Sequence, residues 1–359
     1  MDRCRHKELV MTTNGLAFFR ETELYTSGSD GYHTFRIPAL AITSKGTLLA
    51  FCEGRRDGRD DFYANYLVLK RSLDNGVTWE NIKVLTGDTE NTNNNPTVVI
   101  DYQTDTIWLA YCVGAFYVNI MSSNDDGVTW SEPYDITKDV KLPDWSGYDL
   151  APGHGIQMSN GTLVIPGDHT EGLRRDWIYV HSHVILSDDH GVSWKLGGSV
   201  GGSTNECQVV ETGDNSLYMT MRTSQRQDKR RYYARSKDGG ITWSDAEGIN
   251  GLPDPNCQAS IVRYTDPSNH DRSRILLTHL NTENSRDHIT VRLSYDEGET
   301  WPVSKTLYVG PAAYSDLAIG SDMMINCIYE RGNGHPYESI RLAQFNLEWL
   351  TDGSDSLNY

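Results

Sequence analysis

"SLDNGVTW", residues 72–79, sets the turn signature D-x-G between a serine and a tryptophan. Four further segments share its pattern, S-x-D-x-G-x-[ST]-W: "SNDDGVTW" at 123, "SDDHGVSW" at 187, "SKDGGITW" at 236 and "SYDEGETW" at 294. With average residue usage, a match at any one position has odds on the order of one in a million. Five copies therefore identify a repeat protein. Each follows an alternating or apolar run, such as "YANYLVLKR" or "SHVILSD", that reads as a strand. In each box the carboxylate can accept turn N–H groups, the glycine can take φ > 0, and the tryptophan can pack across neighbouring strands. The boxes are expected to be structural rather than catalytic.

Box starts are separated by about 50 to 65 residues, the length of a four-stranded blade in a radial β-propeller. Five turns plus one unit lacking the turn predict an all-β, six-bladed β-propeller. Helix signals are scarce and no Pro- or Ser-rich linker interrupts the chain, so residues 20–350 are assigned to a single domain. Residues 1–19 form an N-terminal segment and 351–359 a C-terminal tail. "IRLAQFNLEWL", near the end, is expected to close the ring, with the termini meeting in one blade. Asn160-Gly161-Thr162 is formally a glycosylation sequon, but an Asn-Gly hairpin turn explains it more simply.

The 359 residues are 38% hydrophobic with a mean hydropathy of -0.53, which fits a globular protein with a real core. No apolar run approaches the roughly 20 residues that span a bilayer, so no membrane association is expected. A formal charge of -17 argues against nucleic acid as a partner. It also disfavours anionic ligands at long range, although a local arginine cluster overrides the global sign within a screening length of ~8 Å. "MDRCRHKELVMTTNGLAFF" lacks the features of a secretory signal. The expectation is a cytoplasmic chain, or one whose signal has been trimmed. Six scattered cysteines without a CxxC pair read as buried reduced thiols. No zinc site and no cofactor is expected, and calcium has no ligand signature.

One segment resists a purely structural reading. "GYHTFRIPAL", residues 31–40, sets Arg36 between Phe35 and Ile37 at the head of an apolar run. A guanidinium cannot be neutralised and seldom enters an apolar setting without a partner.

"FRIPAL", "LLAFCEGRRDGRDD", the five Asp-boxes, "APGHGIQ", "TNECQVV", "SLYMTMR", "LPDPNCQAS", "SRDHITVRLSYDEGETW", "AAYSDL" and "CIYERG" follow one another across roughly residues 20 to 350. In this order they resemble the exo-α-sialidase (neuraminidase) family. The resemblance implies a carboxylate-bearing sugar held by three arginines, Arg36, Arg222 and Arg286, because planar guanidinium forks suit a planar carboxylate. It implies that Glu330 braces the first of these, and that Arg55, rather than its neighbour Arg56, lies near the sugar's ring substituents. The residues alone leave that choice open.

The resemblance further implies Tyr314 as nucleophile, since a neutral phenol avoids the repulsion that the sugar carboxylate would exert on an Asp or Glu; sialidases are the tyrosine exception that general accounts of glycosidases name. Glu206 is its implied base, with the nearby arginines expected to favour phenolate. Asp61 matches the acid/base position, with Asp60 as rival and a Gly-containing loop that could raise its pKa on closing. Phe116, Tyr117 and Met121 are pocket candidates that read mostly as strand core. Asn95 and Pro96 match a rim segment that touches the N-acyl group in relatives. Together these imply a retaining exo-glycosidase acting on sialylated glycans. The alternatives are a trans-sialidase, a hydrolase of a related nonulosonic or keto-acid sugar, or a non-catalytic carbohydrate-binding propeller.

Overall fold

The computed structural model describes residues 7–12, 15–61, 63–87, 91–172, 180–224 and 228–357. Almost all of its regular structure is antiparallel strand, in five hydrogen-bonded sheets arranged as a propeller. The first sheet runs outward from the axis as Thr34–Ile42, Leu48–Arg55, Asn65–Ser72 and Lys83–Gly87. The strand lying innermost in each of the next three begins with Asn93–Asp101, Trp145–Leu150 or Thr204–Glu211. The last sheet has eight strands because Val303–Ile319 pairs with Asp287–Ser294 along its first half and with Ile325–Arg331 along its second.

Adjacent sheets meet through apolar faces. Ala39, Leu49, Phe51, Leu67 and Leu69 of the first interlock with Val98, Leu109 and Tyr111 of the second. The first and last sheets join in the same way, with Leu40, Ala50, Cys52 and Val68 against Ile328, Ile340 and Leu342. Gly15–Thr26, from near the N-terminus, pairs with Ser339–Phe345, from near the C-terminus. Ring closure is thus carried by strands from both ends of the chain. Beyond it, Asp355 packs back against the fully buried Arg274, accepting from Nε and Nη2 at 2.8 Å each.

The repeated turns close with one hydrogen-bond set. In the first, Asp74 accepts from Ser72 Oγ at 2.9 Å and from the Thr78 backbone N–H and hydroxyl at 2.8 and 2.6 Å, while the Gly76 N–H donates to Ser72 Oγ at 2.8 Å. The same bonds recur around Asp125, Asp189, Asp238 and Asp296. These bonds, led by the threonine hydroxyl, hold the Asp74, Asp125 and Asp238 carboxyls down to about 2. Glycine is required in the turn: Gly191 has φ +85, and a Cβ there would come within 2.2 Å of the Trp108 ring. Asn160-Gly161 is also a turn, with the Met158 N–H donating to the Thr162 carbonyl at 2.8 Å. Cys52, Cys112, Cys207, Cys257 and Cys327 are buried free thiols, whereas Cys4 lies outside the described residues.

Burial keeps three of the histidines in the sheets neutral. His169, stacked on Trp145 with centroids 3.4 Å apart, is held down to about 2 by burial and then by His183 and His181. Burial holds His183 and His279 down to about 3, Arg292 adding to the effect at His279. All three rings are therefore neutral in the fold, whereas the unfolded chain protonates them near the ordinary histidine value of about 6.5. Below that pH the unfolded state binds more protons, so stability falls as pH drops from about 6.5 toward 3, by up to about 1.4 kcal/mol per pH unit for each ring. The midpoint of urea unfolding is expected to fall steadily between pH 7 and 5, and replacing His279 with glutamine should flatten that slope. A midpoint independent of pH over this range would show that these rings do not control acid stability.

Candidate active site

Four inner strands carry an irregularity at the same end of the molecule. The register shifts between Arg36 and Ala39, between Asn94 and Thr97, between Thr204 and Cys207, and between Ala312 and Ser315. Arg36 borders the first of these shifts, and Asn95, Glu206 and Tyr314 lie inside the other three. A β-bulge turns a side chain out of the pleat, and here bulges turn groups from distant parts of the sequence toward one another. Ile37 has φ +57 and Asn95 has φ +56, left-handed conformations that are rare for a β-branched residue and tolerated by asparagine.

Two fully buried carboxylates hold these conformations and two of the arginines together. Glu330 accepts from Arg36 Nε at 3.2 Å, from the Ile37 N–H at 2.8 Å and from the Tyr314 N–H at 3.1 Å. Glu53 accepts from Arg55 Nε and Nη2 at 2.9 and 2.6 Å, from Asn65 Nδ2 at 3.1 Å and from the Asn95 N–H at 2.9 Å. Burial alone works against the Arg36 charge, but Glu330 and its neighbours more than restore it, and the guanidinium stays fully protonated. Arg55 turns inward and is 1% exposed, whereas Arg56 lies out over the Tyr66 ring, 4.2 Å from its centroid.

Tyr314 is buried, and its hydroxyl donates to Glu206 Oε1. Arg222 Nη1 donates to both partners, at 2.6 Å to Glu206 Oε2 and 3.0 Å to Tyr314 Oη. Burial and then the Glu206 charge raise the Tyr314 pKa well above 10, outweighing the lowering by Arg222 and Arg286. The arginines favour phenolate, as expected, but burial and Glu206 outweigh them and the phenol keeps its proton.

Asp61 Oδ1 accepts from Arg55 Nη1 at 2.6 Å and from Arg36 Nη1 at 3.0 Å, with its side chain 62% exposed. Burial pushes its pKa up, but Arg55 and Arg36 prevail and hold it below the usual value. The raised pKa anticipated for this loop is not found, for that reason. Asp60, the rival, is exposed.

Arg286 donates from Nη1 to Tyr337 Oη at 2.9 Å and from Nη2 to the Asn256 carbonyl at 3.2 Å. All eight residues singled out for the site thus lie in one connected network with Tyr337 and Asn256. Sequence reasoning missed four members: Glu53, Asn65, Asn256 and Tyr337. Glu53 and Asn256 stand in the quoted stretches "LLAFCEGRRDGRDD" and "LPDPNCQAS"; nothing in "GHPYES" marks Tyr337. Of the pocket candidates, Met121 is buried core and Phe116 and Tyr117 are exposed.

A cavity of about 330 Å³ lies at the far ends of the same inner strands, lined by Leu40, Val98, Val210, Val262 and Leu317. It opens away from the arginines and is separate from this site.

Comparison with known proteins identifies the family of the fold. Residues 46–327 match the family model described as BNR repeat-like domain. A sialidase of Micromonospora viridifaciens is 32% identical over 94% of this chain, which spans 55% of that protein's length. Sialidase-2 of Mus musculus is 30% identical, the alignment covering 89% of this chain and 93% of the mouse protein. The solved structure "Hadza microbial sialidase Hz136" superposes with a TM-score of 0.82 at 27% identity, covering 92% of this chain and 69% of that one. With the family match spanning most of the propeller and the mouse relative aligned nearly end to end, the chain belongs to the exo-α-sialidase family of BNR-repeat β-propellers.

Proposed function

We propose that this protein is an exo-α-sialidase that releases terminal α-linked sialic acid from glycoconjugates with retention of configuration. The scaffold in this reading is a six-bladed propeller with five Asp-box turns, the eight-stranded sheet counting as two blades that share Val303–Ile319. The observation that carries the proposal is the buried Tyr314–Glu206 pair, bonded to Arg222 and adjoining Arg36 and Arg286.

In the site, four guanidiniums (Arg36, Arg55, Arg222, Arg286) face four carboxylates (Glu53, Glu206, Glu330, Asp61). Of these carboxylates, only Asp61 is largely exposed and on a loop. The sugar carboxylate takes its place on Arg36 and is shared with Arg222 and Arg286, with the loss of one mobile negative charge balanced by the gain of another. Freed from Arg36, Asp61 loses a charge that kept it ionised, its pKa rises, and it can protonate the leaving oxygen.

Tyr314 Oη then bonds to the anomeric carbon as the bond to the aglycone oxygen breaks, its proton passing to Glu206 and that of Asp61 to the aglycone. In the second half, Asp61 takes a proton from water, the water oxygen bonds to the anomeric carbon, and the tyrosyl bond breaks as Glu206 returns the proton to Tyr314.

Tyr314→Phe is expected to lower turnover of a fluorogenic sialoside by roughly 10³-fold or more, the scale on which enzymes lose rate without their nucleophile. Equal rates for variant and wild type would rule out Tyr314 as nucleophile. Arg36→Lys keeps the charge but loses the fork, and kcat/KM should fall by about 10- to 100-fold, the equivalent of one charged hydrogen bond. Full activity in this variant would remove Arg36 from carboxylate binding. Asp61→Asn should lower kcat/KM, which reports the first step alone, by on the order of 10²-fold or more on natural glycans, yet barely lower it on aryl sialosides, whose leaving groups need no proton. Equal losses of kcat/KM on both substrates would exclude Asp61 as the acid.

A further inference from the structure

Three guanidiniums that converge on one carboxylate repel one another unless something ties them. Arg36 and Arg222 each have a carboxylate partner, Glu330 and Glu206. Arg286 forms no salt bridge among the described residues. Its two outer nitrogens go instead to neutral acceptors, Tyr337 Oη and the Asn256 carbonyl. Each of these residues also holds a second arginine. The Asn256 side-chain oxygen accepts from Arg222 Nε at 2.6 Å, and the Tyr337 ring lies 3.7 Å from the Arg36 guanidinium. The three arginines are thereby joined in a line: Arg36, Tyr337, Arg286, Asn256, Arg222.

We infer that Asn256 and Tyr337 are positioning residues that fix the spacing of the carboxylate-binding arginines without neutralising them. The inference rests on the sialidase reading for its consequence, though not for its geometry. A carboxylate at either position would hold the guanidiniums equally well, but would subtract the charge that the substrate is meant to feel. An amide, a backbone carbonyl, a phenol oxygen and an aromatic face hold them by dipole and quadrupole alone. Asn256 can serve two arginines because its backbone is left-handed, at φ +65, a conformation that asparagine tolerates.

Three substitutions separate tethering from charge. Asn256→Gly keeps the left-handed backbone and the carbonyl but removes the side-chain acceptor. Asn256→Asp keeps an acceptor and adds a negative charge. Tyr337→Phe keeps the ring over Arg36 and removes the oxygen from Arg286. The rate of phenylglyoxal modification at Arg222 and Arg286, mapped by mass spectrometry, reports tethering, while kcat and KM on a sialoside report the consequence, with thermal melts run alongside.

In Asn256→Gly, labelling of Arg222 should rise severalfold and KM by about tenfold, the loss of one charged hydrogen bond, at an unchanged melting temperature. In Asn256→Asp, labelling should stay at the wild-type rate while KM rises by a similar factor. In Tyr337→Phe, labelling should rise at Arg286 and not at Arg222. Wild-type labelling rates in both Asn256→Gly and Tyr337→Phe would overturn the inference, whatever the activity. A wild-type protein inert toward sialosides would instead sink the function proposed above and leave the labelling to decide the geometry.

Discussion

Four guanidinium groups crowd one end of the propeller axis, and their mutual repulsion is the constraint around which the rest of the site is arranged. Water cannot screen the buried ones, so the compensation has to be built from protein groups. Glu330 and Glu53, both fully buried, each bind an arginine and at least one backbone N–H of a bulged inner strand. Glu330 also takes the N–H of Tyr314. One carboxylate thus balances a charge, stabilises a left-handed backbone and fixes the phenol-bearing strand against the arginine-bearing one. Shifting any of these groups breaks bonds on two strands, and this rigidity keeps like charges close.

The repeated turns take no part in this. In the first sheet, Arg55 pairs with Asn65 at the arginine end and Leu48 pairs with Ser72 at the other, so the box beginning at Ser72 lies at the end away from the site. The turns satisfy their own polar groups locally, with serine, aspartate, glycine and threonine within seven residues of one another. Each of these turns closes a sheet at the end opposite the arginines, while the bulged ends of the inner strands carry the candidate site. The repeated turns and the candidate site draw on different ends of the same strands.

This division explains what could be read from the sequence. The boxes were legible because their bonds are local, and five copies made the repeat unmistakable. Tyr314, Glu206, Asp61 and the arginines could be placed only through resemblance, since the contacts joining them span up to 294 positions, as between Arg36 and Glu330. Arg55 and Arg56 were indistinguishable as types, and the pleat separates them by sending alternate side chains to opposite faces. Asn256 was overlooked because its role depends on a left-handed backbone. Tyr337 was overlooked because it acts through a ring face and an oxygen toward partners distant in the sequence. The pull of the arginines on Tyr314 could be read from the matching motifs, whereas the burial that outweighs it belongs to the folded state alone.

That burial bears on how the proposed chemistry is timed. Tyr314 and Glu206 form one hydrogen-bonded pair, and placing negative charge on both at once in a buried site is disfavoured by desolvation and by their mutual repulsion. A standing phenolate beside an ionised Glu206 is therefore unfavourable, even with Arg222 bonded to both partners. In the proposed mechanism the balance changes only when positive charge develops at an anomeric carbon next to the phenol oxygen. An oxocarbenium-like centre would supply that charge as the glycosidic bond breaks. Proton transfer to Glu206 would then be coupled to bond cleavage, and the proposed nucleophile would become strong only when its target is present.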